Sequence, residues 1–143
     1  MELLTINCFL SYLRFMLTLT TAGVSVSVET KYIPRISSPL LDSYVFSYEI
    51  TIVNRNDFPI QLMRRFWDVF DSSGYCREIE GAGVVGEQPI IAPQATFTYS
   101  SACDLRSPRG KMSGYFTMRQ LDNHQLFIAR VPDFQMEVPF ILN

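Results

Sequence analysis

The sequence contains a single histidine, His124. A His-rich metal centre, or a mechanism that sets a catalytic histidine beside a histidine ligand, is therefore excluded, while carboxylate-only Mg²⁺ chemistry stays open. Cysteine is also sparse. Cys8, Cys76 and Cys103 are odd in number and far apart, which fits neither a secreted disulfide framework nor a C-x-x-C zinc or redox site. A reducing cytoplasm is the expected location. Charge is low at 18% of residues, and 12 Lys plus Arg against 14 Asp plus Glu give a net charge of -2. That balance lacks the basic excess of an electrostatic nucleic-acid binder, so no nucleic-acid partner is expected.

A long uninterrupted apolar run is missing as well. The most apolar stretch, residues 3–19, is broken by Asn7, Ser11 and Arg14, so it makes a poor spanning helix. A secretory signal would need a basic start and a small-residue cleavage site, and this one begins with Glu2 and carries Arg14 inside its apolar part. No membrane association is expected. Residues 1–15 read as a non-conforming extension: either a helix or strand docked on the domain, or sequence upstream of a true start at Met16.

What is present is enough for one packed domain. The chain has 143 residues, 48% of them apolar, within the usual size of a single domain. Eleven Phe, seven Tyr and one Trp, with little Ala or Lys, suit pleated strands better than surface helices. From Val24 the pattern has period two, with Val24, Val26 and Val28 on one face and Ser25, Ser27 and Glu29 on the other. Strands are expected at residues 44–53, 61–70, 75–80, 96–101, 114–120, 125–131 and 135–142. The first two of these, joined by the turn formers of residues 54–59, read as a hairpin with a long loop. No helical period runs through this part. The fold expected is all-β, an immunoglobulin/fibronectin type III-like β-sandwich of about seven to eight strands.

Residues 81–86 spell a formal G-x-G-x-x-G. In a dinucleotide fold such glycines stand between a strand and a helix whose N-terminus holds the pyrophosphate. Here Pro89 and Pro93 follow with β-branched residues between them, which stops a helix and makes that reading poor. A loop of glycines can still hold an anion on its backbone N–H groups. The plainer reading is positive φ and close backbone approach where the chain crosses between sheets. A second candidate is the basic loop of residues 106–111, with Arg106, Arg109 and Lys111. Most such runs are solvated surface, and this one becomes an anion site only by converging with the glycines. In residues 64–67, alternation puts Arg64 with Phe66 on one face and Arg65 with Trp67 on the other, and the single Trp reads as core. His124 falls in a turn and is expected to be exposed. Glu78, Glu80 and Glu87 lie near the glycines without an inferable acid/base geometry, and no nucleophile-elbow pattern occurs.

The run Gly83-Val84-Val85-Gly86-Glu87-Gln88-Pro89 resembles the ApaG family. So do residues 44–48, 59–62, Trp67, 71–74, 91–93, 99–101, Pro108, 110–112, 114–115 and 138–139, in the family's order across residues 22–143. The resemblance implies a fibronectin type III-like sandwich without known catalytic activity. Similar bacterial proteins are associated genetically with cobalt and magnesium efflux or resistance, often beside a diadenosine tetraphosphate hydrolase gene. Similar eukaryotic domains, in an F-box protein and a polymerase-delta-interacting protein, look like protein-recognition modules. The family's glycine motif, carried here by Gly81, Gly83 and Gly86, has been proposed to bind pyrophosphate. Gln94 and Ala102 replace glycines common in the family, and Phe66 stands where members often carry His or Tyr. Stand-alone members begin shortly before the segment matching residues 18–24, which favours Met16 as the start and residues 16–143 as one ApaG domain.

The resulting expectation is a non-catalytic binding module, with no cofactor, that recognises a protein partner or a small phosphate-containing ligand. Its candidate binding residues are Gly81, Gly83, Gly86, Glu87, Arg106, Arg109 and Lys111. The alternative is a metal-dependent hydrolase of a nucleotide or pyrophosphate compound, built on Glu80, Glu87 and a metal. A direct Co²⁺ or Mg²⁺ chaperone has only the family's genetic link behind it, since the sequence offers no clustered soft ligands. Neither the ligand nor the oligomeric state follows from the sequence.

Overall fold

A computed structural model of the chain describes the backbone of residues 3–9 and 14–139 and the side chains of residues 16–139. Among the described residues ten strands follow one another: β1 (Leu3–Phe9), β2 (Arg14–Thr21), β3 (Val24–Tyr32), β4 (Tyr44–Asn54), β5 (Ile60–Asp71), β6 (Cys76–Ala82), β7 (Ile90–Ile91), β8 (Thr96–Leu105), β9 (Arg109–Gln120) and β10 (Leu126–Glu137). The prolines that break the ladder after β3 open two 3-10 turns, Pro34–Ile36 and Pro39–Leu41. One sheet has the order β1-β2-β3-β4-β8 and the other β10-β9-β5-β6, with β7 beside β5, and every pairing is antiparallel. This is the expected all-β sandwich, consistent with an immunoglobulin/fibronectin type III-like architecture. The strands beyond the expected count are β1, β2 and the two-residue β7.

Alternation along each strand makes the core. In β4, Tyr44, Phe46, Tyr48, Ile50 and Ile52 are buried, and Leu62, Trp67 and Val69 of β5 face them. Trp67 is only 1% exposed and meets Tyr48, Phe116 and Phe134 in edge-on contacts with ring centroids 5.5, 6.0 and 5.9 Å away. Its assignment to the core stands.

Two expectations are corrected. Strands β4 and β5 do not form a hairpin, because β4 pairs with β3 and β8 while β5 pairs with β6, β7 and β9. The segment between them crosses the sandwich, and the buried Asn54 pins it there. Its Nδ2 donates to Phe58 O at 2.8 Å and Ile91 O at 3.0 Å, while Oδ1 accepts the Asn56 N–H at 3.1 Å. Turn formers mark a reversal, but alternation is the same whichever sheet a strand joins. The two strands expected at residues 125–131 and 135–142 are one strand, β10, which ends at Glu137. The gap between the two expected ranges holds a bulge between Val131 and Phe134 that contains Pro132, a position where a residue without an N–H is tolerated. Residues 140–142 of the second expected strand lie outside the described residues.

Candidate functional site

The glycine segment forms a tight reversal after β6. Val84 and Glu87 exchange both backbone hydrogen bonds, at 2.8 and 2.9 Å, and the two residues between them have positive φ: Val85 at 44° and Gly86 at 80°. Positive φ at both central positions is the signature of a type I′ turn. Gly83, also with positive φ, donates its N–H to Met63 O at 2.9 Å. Arg65 reaches across from β5, its Nη1 donating to Ala82 O at 3.1 Å and Gly83 O at 2.9 Å. A Cβ on Gly81 would sit 3.0 Å from that same nitrogen, so this glycine makes room for the guanidinium. The N–H groups of Gly83, Val84 and Glu87 thus already have carbonyl acceptors. The segment does not cross between sheets as expected, since β6 and β7 on either side of it both pair with β5. Nor does a helix follow it.

The basic run lies elsewhere. Asp71, at the end of β5 and buried, accepts the Arg106 N–H at 2.5 Å, the Ser73 N–H at 3.1 Å and the Ser107 hydroxyl. Burial pushes the Asp71 carboxyl up, but the hydrogen bonds from Ser107, Arg106 and Ser73 outweigh it and the group titrates below the ordinary carboxylate value. The Arg106 guanidinium lies 3.8 Å above the Tyr75 ring, and Arg109 pairs with Glu137 at 3.2 Å. Lys111 is exposed opposite Phe70. The glycine turn adjoins Met63 and Arg65 while the basic run adjoins Asp71, which separates them by roughly 20–25 Å along β5. The structure does not bring the two halves of the anion site together. Glu87 ends the turn and Glu80 is held by Arg64 at 3.0 Å, with both carboxylates exposed.

Sequence reasoning missed a third region, the outer face of the β10-β9-β5-β6 sheet. Register puts Phe66, Tyr115 and Arg130 in one row across β5, β9 and β10. Phe66 and Tyr115 stack at 5.1 Å with their planes 21° apart. A cleft of about 620 Å³ opens beside them at the β10 bulge, and Leu19 of β2 also lines it. Alternation already placed Phe66 opposite the buried Trp67. The missing signal was its cross-strand neighbour, which only the pairing of β5 with β9 supplies.

Two further groups stand apart from these surfaces. His124 is exposed in the turn before β10, as expected. Cys103 is buried, burial pushes its thiol pKa up, and Arg77 of β6 donates from Nη2 to its Sγ at 3.3 Å and to Asp104 O at 2.7 Å. Among the described residues no group of three His, Cys, Asp or Glu is disposed to hold a metal, and no helix is long and apolar enough to cross a membrane.

Fold and surface together define a small two-sheet β-sandwich module with a tight glycine turn and an aromatic sheet face. A family model described as the ApaG domain matches residues 34–120. Protein ApaG of Methylobacterium radiotolerans is 38% identical over 121 residues, 85% of this chain and 92% of that relative. Protein ApaG of Brucella suis biovar 1 is 40% identical over 119 residues, 83% of this chain and 91% of the relative. The crystal structure of a Bordetella pertussis protein named ApaA superposes with a TM-score of 0.78 at 36% identity, covering 82% of this chain and 94% of that one. The chain belongs to the ApaG family.

Proposed function

We propose that the chain is a non-catalytic binding module of the cytoplasm that recognises a partner protein through the outer face of the β10-β9-β5-β6 sheet. The observation that carries this reading is the set of large apolar side chains left in water there. Phe66 and Tyr115 are stacked, and Phe70, Ile128 and Leu126 are 49%, 41% and 59% exposed. Phe66 with Tyr115, Ile128 and Leu126 fall in three adjoining rows, with Phe70 beyond the Asp68 row, and adjoining apolar and aromatic groups left in water are the usual mark of a protein-binding surface. The small-anion version has less behind it, because the turn's amides are largely bonded to carbonyls and the basic run is remote. The hydrolase alternative would need Glu80, which is tied to Arg64, to act with Glu87 and a metal. A connection to cobalt or magnesium efflux would on this reading run through the partner rather than through metal held by this chain.

The test compares the parent with Phe70→Glu and Ile128→Glu in a crosslinking pull-down, after thermal melts show both variants folded. Loss of a partner that the parent retains is the expected result, and retention by both variants would refute the reading. A parallel titration with pyrophosphate in low salt should leave the amide resonances of Val85 and Gly86 unmoved. Saturable shifts there would restore the anion version.

A further inference from the structure

The outer face of this sheet contains an arrangement that stability alone disfavours. Asp68 of β5 and Glu78 of β6 are direct cross-strand partners, and both are exposed. Like charges placed directly opposite each other in a sheet repel. Among the described residues neither carboxylate belongs to an ion pair, and the nearest cations in register are Arg130, which lines the same cleft as Asp68, and Lys111 in the adjoining row. Across β9, Ser113 continues the same row, and beyond it the β10 bulge presents Asp133, exposed and likewise without an ion pair. Glu78, Asp68, Ser113 and Asp133 thus form an acidic band about three strand spacings wide. Asp68, Ser113 and Asp133 line the 620 Å³ cleft, a volume within the ~300–1,000 Å³ typical of ligand pockets.

Aromatic rings flank the band on both sides. The row on one side holds Phe66 stacked on Tyr115, and the row on the other holds Phe70. Arg130 borders the cleft and has an interaction of its own. A planar cation that stacks on an aromatic face while donating paired N–H groups to a carboxylate fits these neighbours, and arginine has that geometry where the point charge of lysine does not. We infer that this band is the recognition site for an arginine side chain of a partner protein, whose guanidinium lies between the Phe66–Tyr115 stack and the Asp68 and Asp133 carboxylates. The inference rests on the protein-recognition reading above and specifies the partner chemistry at that face.

The test titrates the full chain with the peptide Ac-Gly-Arg-Gly-amide in low salt, followed by amide resonances. Lysine and citrulline versions of the peptide serve as comparisons. Saturable shifts should centre on Phe66, Asp68, Ser113 and Tyr115 and weaken as salt is added. Asp68→Asn and Asp133→Asn should each weaken binding by about fivefold or more, while Glu49→Gln, on the outer face of the other sheet, should not change it. Asp68→Asn should at the same time raise the melting temperature, because it removes the repulsion with Glu78. A purely structural carboxylate would not give that pairing of lost binding with gained stability. The inference is overturned if the arginine peptide fails to bind at about 10 mM, if the lysine or citrulline peptide binds equally well, or if Asp68→Asn and Asp133→Asn bind like the parent. A partner still lost by Phe70→Glu in the pull-down would then show that the face recognises protein by other chemistry.

Discussion

The glycine turn can be tested by asking its residues to carry a Cβ one at a time. At Gly83, with φ of +63°, an added Cβ would lie 1.9 Å from the carbonyl oxygen of Glu87, the acceptor for Val84 N–H. Left-handed backbone costs a non-glycine residue about 1–2 kcal/mol. Relieving the collision requires opening the Val84–Glu87 pair, and each of its two hydrogen bonds contributes about 0.5–1.5 kcal/mol. Part of this is offset by the reduced freedom of the unfolded chain, about 0.4–1 kcal/mol. Gly83→Ala should therefore destabilise by about 2–4 kcal/mol. At Gly86, φ is +80° but nothing lies within 4 Å, so Gly86→Ala should cost only the backbone part, about 1 kcal/mol. Val85 provides the opposite sign. It is β-branched, 57% exposed and held at φ of 44°, so Val85→Asn should stabilise by about 0.5–1 kcal/mol. Urea unfolding with unchanged m-values measures all three variants. Equal costs at Gly83 and Gly86, or a loss on Val85→Asn, would refute the view that this turn is shaped by its own backbone closure.

Three further outcomes follow from the packing. Trp67→Ala should cost about 3–5 kcal/mol in the same urea assay, since it empties the centre of an aromatic cluster. Asp71 has a depressed carboxyl pKa in the folded state, so its contribution is fully present above the ordinary value of about 3.9 and is lost as pH falls through the lower folded value. Asp71→Asn should correspondingly flatten the acid limb of a stability-versus-pH curve. A chain beginning at Met16 keeps the pairing of residues 16–21 with β3 and gives up the edge strand β1 together with Arg14 and Phe15, the first two residues of β2. It should fold and melt within about 2 kcal/mol of the full chain, and a larger loss by denaturant titration would show that the removed segment packs on the core.

Period-two burial was legible from residues alone, as at Trp67 against Phe66 and at Val24, Val26 and Val28, although Ser25 between them is buried too. So was the exposed turn at His124. Sheet membership was not, because a strand's inward face looks the same in either layer. That is why the turn formers between β4 and β5 suggested a hairpin where Asn54 holds a crossing. The β10 bulge was hidden for a related reason, since two expected strands join into one only once Val131 and Phe134 are both seen to pair with β9. Gln94 shows a departure resolved locally. It stands where the family commonly has glycine, and it keeps the left-handed geometry at φ of 64° while its Nε2 donates to Arg55 O and Asn56 O at 3.2 Å each. The candidate binding residues lie in two separate places. The glycine turn and the basic run exist as surface features, and only the register of β5 shows how far apart they are.

Arg77 has a consequence for how this protein behaves in a crowded solution. Strand β8 runs ten residues at the edge of its sheet, with no proline, lysine or register shift to blunt it, and its exposed side chains are mostly small and polar. Such an edge is a template on which a second chain can add a strand, and repetition of that event makes a fibre. The Arg77 side chain, coming from the opposite sheet, occupies the carbonyl of Asp104 at 2.7 Å and meets the Asp104 carboxylate at 3.2 Å. One of the acceptors an incoming strand would use is therefore taken, and a charged group stands in the path of that strand. Arg77→Ala should therefore raise turbidity over hours at high protein concentration relative to the parent.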